Sequence, residues 1–323
     1  MNRVTAIARL EILQIRRSRF SIAALISLLV AILVSILVAS MDFSIKADAF
    51  KAYSDALVAS GKAAQVPATP LFPLQLTRGG IEYLEIIGAL FAIVIGYSSI
   101  AREKQRGTMW LIFTRPVGST NFYIGKLIAL SLIWGAFSLA AMGLSIIASV
   151  WAGHAQIDLL DLEKSMVVVL AAWAYLTLWS ALAMGLASIF KNSSSALVIA
   201  IALWLMVVLV IPQIGDTMDP DNQIPGGLFK TLQIAKADET AVLQNFASYN
   251  NARDALEISS VTKHFERVAF GFLGIKDQYN QQSFGFVWSG LLANTISLYL
   301  FSLGTIAFGF LTTKPNNLIR TSK

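Results

Sequence analysis

Residues Phe20 to Met41 read FSIAALISLLVAILVSILVASM, 22 residues without a charged side chain. A helix rises about 1.5 Å per residue, so about 20 apolar residues cross a hydrocarbon layer roughly 30 Å thick. The run exceeds the apolar stretch of a cleaved leader, although Val38-Ala39-Ser40 has the small residues of a cleavage site. It reads as a retained transmembrane helix. Five more runs share its character: Tyr83–Ile100, Leu127–Trp151, Met166–Phe190, Ala196–Ile214 and Phe284–Thr312. None has Asp, Lys, Arg or His in its middle, and Glu85 falls in the first turn of the second.

The whole composition agrees. Of 323 residues 56% are hydrophobic and 14% charged, where soluble domains carry about 45–50% and about 25%. Lipid is the solvent such a chain expects. The fold class is therefore all-α, a polytopic membrane protein of six transmembrane helices. With no cysteine, disulfides, thiolate metal sites and cysteine nucleophiles are excluded.

The net charge of +6 is sided. One face holds residues 1–19, the loop 101–126, the turn 191–195 and the tail 313–323. It carries fourteen basic residues and only two acidic ones, Glu11 and Glu103. The other holds 42–82, 152–165 and 215–283, with eleven basic residues and, counting Glu85 at the start of the second run, seventeen acidic ones. The positive-inside rule sets both termini in the cytoplasm of a cell whose inner (plasma) membrane the chain spans. Topology accounts for the basic character, and no nucleic-acid partner is called for.

Val4, Ala8, Ile12 and Ile15 share one side of the N-terminal segment, which reads as an amphipathic elbow lying in the interface. Segment 42–82 is polar, with Pro67, Pro70 and Pro73, and is expected to be partly irregular. In 215–283, Asp216, Asp219, Pro220, Asp221 and Pro225 signal turns. Apolar residues at helical spacing from Asp238 to Phe272, among them Phe246, then predict one or two helices capping the outer mouth. Gly88, Ala92 and Gly96 form a small-xxx-small stripe that permits close helix packing. Trp151, Trp288 and Tyr83 suit an outer aromatic belt.

The inside loop, AREKQRGTMWLIFTRPVGSTNFYIGK from Ala101 to Lys126, is the most informative stretch. Its start continues the second helix as a charged end, Gly107 breaks it, and Pro116 breaks the apolar run that follows. Trp110, Leu111, Ile112 and Phe113 lie at the membrane surface or in a partner's groove. On physical grounds alone, a headgroup anchor and a docking element are equally open.

The loop resembles the first cytoplasmic loop of type-2 ABC permeases, the membrane subunits of ATP-driven exporters. That loop has an acid four before a Gly-Thr pair, an apolar run, a Pro-Val pair, and a Gly-Lys opening the next helix. Here these are Glu103, Gly107-Thr108, Met109–Phe113, Arg115-Pro116-Val117 and Gly125-Lys126; Ser119 stands where the family often has a basic residue. The layout is closest to permeases linked to copper-enzyme maturation clusters. The resemblance implies a coupling helix seated in a separate ABC ATPase subunit. Glu103, Arg106, Gly107, Thr108, Trp110, Leu111, Arg115 and Pro116 would form it. It also implies pairing with a second permease copy or a paralogue.

The chain carries no ATP site of its own. G-x-x-x-x-G-K-[ST] needs a Gly five before its Gly-Lys pair and a hydroxyl after it. Gly61-Lys62 offers Ala56 and Ala63, and Gly125-Lys126 offers Thr120 and Leu127. ATP-Mg is expected on the partner, and no catalytic, cofactor or metal residues are expected here. His154 and His264 read as surface histidines. The expected function is the permease subunit, coupling ATP hydrolysis to export or to mechanical signalling. The alternative is a non-transporting scaffold that recruits an assembly partner through its outer segment.

Overall fold

The computed structural model describes residues 3–62, 72–114, 118–219, 227–235, 238–244 and 247–319. Among them are helices and turns and no strand. Six helices are long and apolar enough to cross a membrane: Arg19–Ala59, Pro73–Gln105, Ser119–Gly153, Leu159–Ile189, Ser194–Thr217 and Phe284–Thr312, here the first to sixth spans. A shorter helix, Arg3–Arg17, precedes them as the elbow.

Two spans extend furthest past their apolar runs. The first does not stop at Met41 but continues to Ala59. Its extension holds no Pro or Gly, and Lys46 pairs with Asp42 one turn back at 2.6 Å. Nothing there ends a helix until Ser60 and Gly61, the latter at φ +76°. The second span opens with a 3₁₀ turn at Pro73. Glu85 is therefore twelve residues into the span, not in its first turn. Pro67 and Pro70 lie outside the described residues.

The fourth span is the centre of the bundle, buried on nearly all sides against the second, third and sixth. Small residues let the helices approach. A Cβ added to Gly96 would lie 2.5 Å from the Ser180 carbonyl oxygen, and one on Gly88 would lie 3.2 Å from Leu176. Between them the Ser180 hydroxyl donates to the Ala92 carbonyl at 2.9 Å and accepts from Trp134 Nε1 at 2.7 Å. The stripe Gly88, Ala92, Gly96 thus lies along the fourth span.

Wide π-helical turns interrupt the second span at Leu84–Gly88 and the fifth at Leu205–Val210. A π turn disturbs the regular backbone ladder and frees carbonyls. Tyr175 donates to the Glu85 carbonyl at 3.0 Å, and Ser260 to the Val207 carbonyl at 2.8 Å. Both wide turns are held by hydroxyls from neighbouring elements.

Ser260 also marks the turn of a re-entrant hairpin. Helix Ala247–Ser259 packs on the end of the fifth span, and helix Val261–Phe272 on the fourth and sixth. Thr262 meets Tyr175 at 3.2 Å, and Phe265 stacks on the same ring with centroids 4.6 Å apart. Tyr175 is the middle of the fourth span, so the hairpin tip reaches halfway down the bundle. The second leg is therefore not a cap over the mouth, as its sequence suggests, but part of the core. His264 is correspondingly not a surface residue. It is 3% exposed, with Nε2 donating to the Ile258 carbonyl at 2.9 Å and Nδ1 facing the Asn294 amide at 3.0 Å. Pro220, Asp221, Pro225 and Phe246 lie outside the described residues.

Candidate functional site

The elbow lies against the start of the third span, and one position makes the approach possible. A Cβ on Gly125 would sit 2.7 Å from Ile7 Cβ and 3.0 Å from the Val4 carbonyl oxygen. The next residue, Lys126, is 1% exposed and almost surrounded by acceptors. Its Nζ reaches Glu11 Oε2 at 2.5 Å, Glu103 Oε1 at 3.0 Å and the Ser99 carbonyl at 2.7 Å. The Phe122 ring closes one side, 5.0 Å away. Glu11, also 1% exposed, takes Arg102 Nη2 on its other oxygen at 2.7 Å.

The adjacent Lys104 does something different. It is 3% exposed, and its ammonium donates to the carbonyls of Ala187, Ser188 and Phe190 at 3.1, 3.0 and 2.8 Å. The last carbonyls of a helix have no intrahelical donors, and a cation there also complements the helix dipole. Three consecutive residues at the end of the second span thus make one tie each. Arg102 holds the elbow, Glu103 the third span and Lys104 the fourth.

The cluster of Glu11, Glu103, Arg102 and Lys126 is charge-balanced, which a buried group of ions requires. Removing one member of such a set costs about 3–5 kcal/mol, because its partner stays buried and uncompensated.

Directly after this tie-point the chain turns. Gly107 has φ +65°, a left-handed conformation that side chains rarely adopt, and the Thr108 hydroxyl donates to the Glu103 carbonyl at 3.2 Å. A short helix follows, Met109–Phe113. Met109 is 2% exposed and anchors it, and Phe113 meets the Phe122 ring edge-on at 5.9 Å. Trp110 and Leu111 point away, 56% and 49% exposed. Arg106 is exposed on the turn. Arg115 and Pro116 lie outside the described residues.

The structure therefore gathers Glu103, Gly107, Thr108, Trp110 and Leu111 at one end of the bundle. It adds three residues that sequence reasoning passed over as contacts: Glu11, Lys104 and Lys126. One signal was present for Glu11, since an acid beside Ala8 and Ile15 on the apolar face of a basic helix needs a buried partner.

Residues 5–312 match the family described as ABC-2 family transporter protein. The chain belongs to that family. The match begins inside the elbow and ends on the last residue of the sixth span, so it covers the charge cluster, the short helix and every span. It is a match to the family at large and does not single out the branch linked to copper-enzyme maturation. A comparison with curated proteins found no match. An ABC-2 protein is the membrane subunit of an ABC transporter and is not itself the catalytic part. The geometry suits that division. In this ABC-2 protein Glu11, Arg102, Glu103, Lys104 and Lys126 join the elbow, the third span and the fourth span to the end of the second.

Proposed function

We propose that this ABC-2 protein is the permease half of an ATP-driven exporter or force transmitter. In this reading the helix Met109–Phe113 is its coupling helix, seated in a groove of a separate cytoplasmic ATPase. One observation carries it. Two large apolar side chains, Trp110 and Leu111, are offered to the outside by a five-residue helix. The residues just before that helix are tied by ion pairs to the elbow and the third span, and by hydrogen bonds to the end of the fourth. A push on the short helix therefore reaches all of them together.

The sided basic charge supports a cytoplasmic position for this end, with the spans in the inner membrane. Two copies, or this chain and a paralogue, pair in the membrane, and ATP-Mg resides on the partner ATPase. The apolar spans suit a lipidic or amphipathic substrate. The test is ATP hydrolysis in proteoliposomes. The purified chain alone should show none, and adding a cognate ABC ATPase subunit should produce activity that the permease modulates. Hydrolysis by the rigorously purified chain, or a partner ATPase indifferent to the permease, overturns the reading.

A further inference from the structure

At the end opposite the elbow, a pocket of about 280 Å³ opens between the second span, the fifth span and the second leg of the hairpin. Its charged lining is Arg78, Glu82, Glu85, Asp216, Lys263 and Glu266. Arg78 pairs with Glu82 at 2.9 Å, and Lys263 bridges Asp216 at 3.3 Å and Glu266 at 3.0 Å. Both cations are thereby engaged, and the lining sets four acidic side chains against two basic ones. Among the described residues no cation is paired with Glu85. It is partly buried, the third residue of the second span's apolar run, where a carboxylate with no paired cation is costly.

The backbone is also shaped around this pocket. Glu85 and Ile86 come from one π turn, and Val208 and Leu209 from the other. Tyr175 and Ser260 already engage the Glu85 and Val207 carbonyls, so the turns present side chains here: one carboxylate and an apolar wall.

The chemistry narrows the occupant. A lining richer in acids than in bases disfavours an anion. Among the described residues no three acidic or histidine side chains converge as a metal site requires, so a compact divalent ion is poorly served. A single positive charge on an apolar body satisfies both the carboxylate and the wall. We propose that this pocket binds a cationic amphiphile, an ammonium group on an apolar chain, with Glu85 as its counter-ion. A free amphiphilic amine and the amine headgroup of a lipid share that chemistry.

The test is equilibrium binding of radiolabelled dodecyltrimethylammonium to the purified full chain in dodecyl maltoside, with no ATPase present. A negative result thus leaves the coupling assignment standing. Binding should be saturable and should not be displaced by neutral dodecanol. Glu85→Gln should weaken it about tenfold, the scale of one charge-assisted contact, while Glu85→Asp retains most of it. Lys263→Gln should tighten it by removing a competing cation, a gain that misfolding does not produce. Competition by phosphatidylethanolamine identifies the lipid headgroup as occupant, and its absence identifies a free amine; both support the site. Equal affinity in wild type and Glu85→Gln, or displacement by dodecanol, overturns it.

Discussion

Glu11 of the elbow and Lys126 of the third span, 115 residues apart in the chain, are joined carboxylate to ammonium at 2.5 Å with each side chain 1% exposed. Without that pair an amphipathic helix of this kind rests on the membrane surface, free to slide. With it the elbow becomes part of the bundle, and through Arg102 it is fixed to the segment that carries the short helix.

Glu11→Ala should therefore destabilise the chain by about 3 kcal/mol, because it leaves two cations, Lys126 and Arg102, to the single carboxylate of Glu103 in a buried site. The double variant Glu11→Leu, Lys126→Met should recover at least half of that loss, since an apolar pair of similar volume carries no desolvation cost. Thermal unfolding in detergent measures both, and tryptic cleavage at Arg9 and Arg16 reports release of the elbow. An elbow as protease-resistant in Glu11→Ala as in wild type shows that the pair does not hold it.

Helix packing gives a paired test. Gly96→Val drives a side chain into the Ser180 backbone, where even a Cβ stands only 2.5 Å from the carbonyl oxygen. It should cost at least about 2 kcal/mol, as overpacking does. Gly143 has nothing within 4 Å of an added Cβ, so Gly143→Ala should be neutral or slightly stabilising through helix propensity. Equal melting temperatures for the two variants would argue against close contact of the second and fourth spans.

The six crossings were legible because each contains a long apolar run that lipid alone explains. Their ends were less so. Asp42–Ala59 is polar enough to look like a loop, yet it carries no breaker, and a helix already begun continues at little cost. The hairpin hid more thoroughly. Val261–Phe272 contains Lys263, His264, Glu266 and Arg267 within twelve residues, which no hydropathy reading places in a core. Those charges are matched from afar: Asp216 on the fifth span answers Lys263, and Glu257 on the other leg answers Arg267. Such pairings depend on tertiary proximity, which spacing along the chain does not encode. The loop 101–126 shows the same division. Its turn at Gly107 and its apolar helix are readable, whereas the destinations of Arg102, Glu103 and Lys104 are not.

Orientation is open to direct labelling. Ala56 is exposed in the last turn of the first span, Ala247 is exposed after the fifth, and Thr120 is exposed at the start of the third. The chain has no native cysteine, so single cysteines report cleanly. Those at 56 and 247 should react with an impermeant thiol reagent in intact cells, and the one at 120 only after permeabilisation. The reverse pattern would place the short helix outside, away from any ATPase.

The coupling proposal turns on two residues with different jobs. Trp110 offers a half-exposed indole, and aromatic anchors of this kind dominate interface energetics. Trp110→Ala should cost about 2 kcal/mol of association with the ATPase subunit, about thirtyfold in affinity. Gly107 has open space around an added Cβ but a φ of +65°, so the cost of substitution there is conformational, not steric. Asn visits that region readily and a β-branched residue does not. Gly107→Asn should keep coupling, whereas Gly107→Val should misdirect the short helix and lose it, with insertion and folding intact. Pull-down of the ATPase at matched expression, together with permease-dependent ATP hydrolysis, reads both effects. A headgroup anchor predicts a different pattern, in which Trp110→Ala lowers membrane stability slightly and leaves the partner bound. Full retention of the ATPase by both Trp110→Ala and Gly107→Val would remove the short helix from the interface.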